Sequence, residues 1–73
     1  MNTVAVYRSR SDALKLNYYL SKERIACATV STPTSLKLGC GLSVVFNGAY
    51  NGTVQKINKT NNLNSFIGFY PKK

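Results

Sequence analysis

Cys40 is the residue whose setting most invites chemistry, because it lies between Gly39 and Gly41 and outside any apolar pattern. Glycines free the backbone to turn successive N–H groups toward one point. Such a nest, with the positive charge of Lys37 nearby, favours thiolate over thiol. A thiolate is what a sulfur nucleophile, a persulfide carrier or a metal-thiolate donor requires. The same Gly-Cys-Gly run equally suits a tight turn leading into a strand, with the cysteine as a small buried filler. Cys27, between Ala26 and Ala28, reads as a small apolar packing residue inside a strand. It would become a resolving thiol only if the loop brought Cys40 within pairing distance.

The remaining composition narrows the chemistry further. Histidine is absent, which removes the commonest general base and the usual metal ligand, and two cysteines are too few for a structural zinc site. Asp12 and Glu23 are the only acids and sit apart on one predicted helix, so paired-carboxylate catalysis is not indicated. With no cofactor motif either, a stand-alone enzyme is disfavoured and no cofactor is expected. Ten basic residues against two acids give a formal charge of +8. That excess draws acidic proteins or nucleic acid toward the surface without identifying either. Tyr7, Phe66, Phe69 and Tyr70 on predicted strands are compatible with a base-stacking platform, but no basic-glycine-aromatic run of the RNA-recognition type accompanies them. Core packing explains them better.

The elements that must position these residues can be read from periodicity. The 73 residues allow one domain, 1–73, near the lower size limit for a single hydrophobic core. Residues 3–8 (TVAVYR) alternate Val4 and Val6 with Ala5 and Tyr7 and predict a strand. Ser9 or Ser11 offers a cap, and Asp12 suits the positive end of a helix that should run to about Arg24, with Ala13, Leu16, Tyr19 and Leu20 along one stripe. Residues 25–31 return to strand composition and Pro33 ends them. Residues 32–41 (TPTSLKLGCG) read as an ordered loop or single helical turn, and residues 42–46 (LSVVF) as a third strand.

Asn47-Gly48 is a strong hairpin signal and competes with a helix over residues 49–59, for which Tyr50, Thr53, Val54 and Ile57 supply the apolar spacing. The helix is the preferred reading, with Gly52 costing about 1 kcal/mol relative to alanine. Residues 60–64 are turn material, and residues 65–70 form a last strand closed by Pro71 and two lysines. The order β-α-β-β-α-β defines an α+β, ferredoxin-like βαββαβ fold: a four-stranded antiparallel sheet with both helices on one face. The open sheet leaves two edge strands and one bare face, through either of which a homodimer could form.

No apolar run reaches the roughly 20 residues of a membrane span. The opening Met1-Asn2-Thr3-Val4 lacks the charged and then apolar pattern of a secretion signal, so a cytoplasmic protein with reduced thiols is expected.

The opening VAVYRSRSDALKLNYYL, Ile25, the stretch STPTSLKLGCGLSVVF and a final strand near Tyr70 together resemble the selenium/sulfur carrier-like family, short bacterial and archaeal domains of unestablished function. The proline, short polar segment and Cys-Gly-Leu ahead of an alternating strand are its most specific part. The resemblance implies that Cys40 is the carrier thiol, that Gly41 permits the turn, and that a protein donor or acceptor of sulfur or selenium is the partner. Two departures matter. The second helix here, GAYNGTVQKINK, contains no acid where family members tend to be acidic, and the chain lacks the Cys-Pro-x-Pro motif of established sulfur-transfer proteins. The competing reading is a non-enzymatic interaction or regulatory module that docks on nucleic acid or an acidic protein through its basic surface.

Overall fold

The structure, a computed structural model, describes residues 1–32 and 41–72. Its elements follow the order β1 (Thr3–Tyr7), α1 (Arg10–Lys22), β2 (Cys27–Ser31), β3 (Leu42–Phe46), α2 (Asn51–Thr60) and β4 (Phe66–Pro71), with a 3₁₀ turn at Gly48–Tyr50 before α2. The strands form one sheet of order β2-β3-β1-β4, and each neighbouring pair is antiparallel. This is the α+β, ferredoxin-like arrangement expected from the alternation of periods two and 3.6.

Local chemistry sets the element ends. The Ser9 hydroxyl accepts from the Asp12 amide and caps α1. The helix closes with a Schellman motif: the Ile25 amide donates to the Leu20 carbonyl and the Arg24 amide to the Ser21 carbonyl, while Arg24 takes a left-handed φ of 60°. That reversal uses up residues 23–25, so β2 begins at Cys27 and not at Ile25. Asn47-Gly48 does not turn a hairpin. Asn47 accepts from the Ala49 amide through its side chain and launches the 3₁₀ turn, an outcome open to asparagine because the same side chain can serve a turn or a cap. Tyr50 consequently lies before the helix and is 42% exposed, off the apolar face expected for it. Pro71 lies within β4, opposite Thr3, where an edge strand tolerates a residue without an N–H.

The core between helices and sheet contains Ala5, Tyr7, Val44 and Phe46 from the strands, Ala13, Leu16 and Leu20 from α1, Val54 from α2, and Leu63. A bulge at Val6/Tyr7 shifts the β1–β4 register, so that Phe66 pairs with Tyr7 and Phe69 with Ala5. The extra residue places two aromatics of odd spacing on the same face, with ring centroids 4.9 Å apart. Tyr7, Phe66 and Phe69 are therefore packed under the helices and cannot act together as a base-stacking platform. Tyr70 lies on the opposite face.

That opposite face is not bare. Val4, Val6 and Val45 are buried there, with Ala28, Val30, Ile67 and Tyr70 packed against them. Among the described residues the exposed large apolar side chains are Met1, Leu14, Tyr18 and Tyr50, none of them from a strand. Among the same residues, no helix is long and apolar enough to cross a membrane.

Candidate functional site

The connection between β2 and β3 carries the cysteine singled out by sequence, and the structure defines its two ends. The β2–β3 register runs from Cys27↔Phe46 to Ser31↔Leu42. One step further the Thr32 amide donates to the Gly41 carbonyl at 2.9 Å. The hydroxyls of Thr32 and Ser43 lie 2.6 Å apart and are buried, so each satisfies the other where a lone hydroxyl would be costly. Gly41 has φ +88°, and a Cβ placed on it would meet no atom within 4 Å. Glycine is needed here for the backbone angle and not for space. Lys37, Gly39 and Cys40 lie outside the described residues.

The same end of the sheet gathers polar groups from three other elements. Val6↔Ser43 is the last described β1–β3 pair before Tyr7 and Arg8, so the loop mouth and the start of α1 share one edge of the fold. Ser65, just ahead of β4, accepts from the Ser9 amide through its hydroxyl oxygen and from the Arg8 amide through its carbonyl. Its own amide and hydroxyl donate to Asp12 Oδ2, at 3.2 and 2.6 Å. Asp12 thus does more than complement the helix dipole, because it ties α1 to β4. Arg8 and Arg10 are exposed beside this network.

Cys27 sits at the other end of β2, about 17 Å from Thr32 by strand rise. Its thiol is free and donates toward the Asn17 carbonyl at 3.6 Å, with Ser21 Oγ at 3.5 Å. It packs half-buried against the core beneath α1. Among the described residues no cluster of three potential metal-ligating side chains occurs.

A second polar contact was not anticipated by the sequence pattern. Asn58 is buried on the inner face of α2, and its side-chain oxygen accepts from the Tyr7 hydroxyl in the core. Burial pushes the Tyr7 phenol well above its ordinary value; the nearby Asp12 charge adds to the rise and the Asn58 bond opposes it. The available signal was position: Asn58 stands four residues after Val54, on the stripe facing the sheet. The Thr32–Ser43 pair had a fainter one, two hydroxyl residues bracketing the loop in a hairpin register.

The family described as "Putative Se/S carrier protein-like" matches residues 2–70. The chain belongs to that family, and the match runs from before β1 through both helices and the β2–β3 connection to Tyr70 in β4. Comparison with curated proteins and with solved structures returned no match.

Proposed function

We propose that this chain is a carrier domain that holds sulfur or selenium on Cys40 and hands it to a protein partner. The observation that carries the reading is the family match across residues 2–70, which takes in the one cysteine flanked by glycines. Support comes from the clamp at the loop mouth, where Thr32, Gly41 and Ser43 fix the ends of the segment bearing that cysteine. Further support comes from Arg8 and Arg10, exposed at the same end of the sheet as the loop mouth, since cations near a thiol favour its thiolate. Lys37 adds a third cation close in sequence, and glycines on both sides of the cysteine are the composition from which a backbone N–H nest is built.

The chemistry is an exchange at sulfur. The Cys40 thiolate attacks the terminal sulfur of a donor persulfide, the donor's S–S bond breaks, and its electron pair leaves on the donor thiolate. Cys40 then carries the persulfide, and the reverse exchange delivers the sulfur to an acceptor without net oxidation. Cys27 takes no part, since its thiol is engaged beneath α1 at the far end of β2.

The test is alkylation of Cys27→Ser protein across a pH series, read by intact mass. Modification of the folded protein with an apparent pKa clearly below the free-thiol value of about 8.5 is expected. Incubation with a persulfide donor should then add one sulfur atom that Cys40→Ser protein does not accept. A Cys40 that reacts only after unfolding would sink the carrier reading.

A further inference from the structure

The two helices leave a groove between the C-terminal half of α1 and the neighbouring side of α2, with a volume of about 530 Å³. Its apolar wall is formed by Tyr19 and Ile57, both half-buried, and exposed Lys22 and Lys56 stand on its two rims. Tyr19 meets Tyr18 edge-on at 5.4 Å, and Lys22 Nζ lies 5.9 Å from the Tyr18 ring centre. Tyr18 is 60% exposed and Leu14, one turn earlier, is 49% exposed. The groove thus continues into an apolar strip on α1. Three of the four exposed large apolar side chains among the described residues, Leu14, Tyr18 and Tyr50, belong to the helix layer and its approach.

Charge narrows the occupant. The helix segments carry Arg10, Lys15, Lys22, Arg24, Lys56 and Lys59 against Asp12 and Glu23, and Asp12 is occupied by Ser65. A second copy of the chain would bring the same +8 and be repelled. Nucleic acid fits less well than polypeptide for a geometric reason. The groove runs along α2 from Thr53 to Asn61, its C-cap, and on the α1 side it ends at Glu23, the C-cap of α1. A continuous phosphate chain would meet the Glu23 carboxylate and an apolar wall there, whereas a polypeptide can offer apolar side chains to the wall and discrete carboxylates to the rim lysines.

We infer that the α1–α2 groove is a docking site for an acidic, amphipathic segment of a partner protein, with Lys22 and Lys56 pairing its carboxylates and Tyr19 and Ile57 receiving its apolar face. The site lies wholly within the helix layer and stands independently of what Cys40 does.

The test is an amide-resolved NMR titration of the full chain with an end-blocked peptide of about a dozen residues that repeats leucines and glutamates at helical spacing. A glutamine-for-glutamate analogue and an oligothymidylate of similar length serve as comparisons. The glutamate peptide should shift the amides of Tyr19, Lys22, Lys56 and Ile57 most, and the glutamine analogue should bind at least about tenfold more weakly. Lys22→Glu with Lys56→Glu should weaken binding about tenfold or more, while Lys72→Glu with Lys73→Glu, an equal charge change outside the helix segments, should alter it less than about twofold. Lys22→Gln with Lys56→Gln, a milder change at exposed positions, should fall between them. Equal losses from both glutamate pairs would reduce the effect to net charge and overturn the assignment. Peptide shifts absent from the groove would also overturn it, as would tighter binding there by the oligothymidylate.

Discussion

α1 begins on a serine hydroxyl and meets the sheet through Ala13, Leu16 and Leu20, whereas α2 has no side-chain cap of its own and meets the sheet through Val54 and the amide of Asn58. The two halves of the chain repeat one topology, strand, helix, strand, with different contacts beneath the helix. Under α1 the core contact is apolar, and the directed bonds of Ser65 to Asp12 lie at the start of the helix. Under α2 a hydrogen bond from Tyr7, a residue of the first half, locks the helix at one position over the sheet. Burial thus supplies the attraction in both halves, and the directed bond from Tyr7 reaches the buried face of α2, the shorter helix and the one rich in asparagine, threonine and glycine.

Cutting the apolar contact should have the largest effect. Leu16→Ala removes a fully buried side chain, and a loss of about 2–5 kcal/mol is expected by urea denaturation. That is a large share of what a domain of this size possesses. If the loss were below about 1 kcal/mol, α1 would not be packed as described.

Breaking the polar contact comes next. Asn58→Ala leaves the Tyr7 hydroxyl buried without an acceptor and should cost about 1–3 kcal/mol. Tyr7→Phe combined with Asn58→Leu removes both partners together and should cost less than the sum of the single changes. Strict additivity in that cycle would mean the bond does not couple the halves.

Burial of the same Tyr7 hydroxyl gives a pH signature. A phenol held neutral in the folded state contributes stability that is complete below its unfolded value, near 10, and declines as pH rises above it. Wild-type stability should therefore carry an alkaline loss approaching about 1.4 kcal/mol per pH unit that Tyr7→Phe lacks. Parallel alkaline profiles for the two proteins would contradict the burial of that hydroxyl.

The smallest effect compares the helix ends. Arg24 and Asn62 both adopt left-handed backbone, at φ 60° and 56°, one residue beyond the C-cap. Ile25 and Leu63 follow them, and the Leu63 amide bonds the Asn58 carbonyl as Ile25 bonds Leu20. Asparagine tolerates this conformation better than arginine. Arg24→Gly should raise stability by about 0.5–1 kcal/mol, and Asn62→Gly should change it by only a few tenths. Matching melting-temperature shifts would show that the two ends carry equal strain.

The alternation in residues 3–8 and 42–46 made two strands legible, and Ala13, Leu16 and Leu20 made α1 legible, because period alone distinguishes those elements. The second half was harder to read. Asn47 can turn a hairpin or cap a helix, and local sequence does not choose between them. The choice follows from the sheet, in which β4 pairs with β1 and leaves the segment after β3 to cross over as a helix. At the candidate site, Gly41 was legible as a turn residue, and its φ of +88° agrees with that. The hydroxyl clamp of Thr32 and Ser43 was not, since it joins residues eleven apart.

By itself the sequence determined the element order, the ferredoxin-like class, the basic charge and the family, all of which rest on local periodicity, composition and motif. Tertiary structure alone decided that Phe66 and Phe69 share a face through a bulge, that Asn58 receives the Tyr7 hydroxyl, that Asp12 ties α1 to β4, and that Lys22 and Lys56 flank one groove. Each of these depends on which distant segments the sheet brings together, and such proximity has no counterpart in the neighbouring residues of the chain.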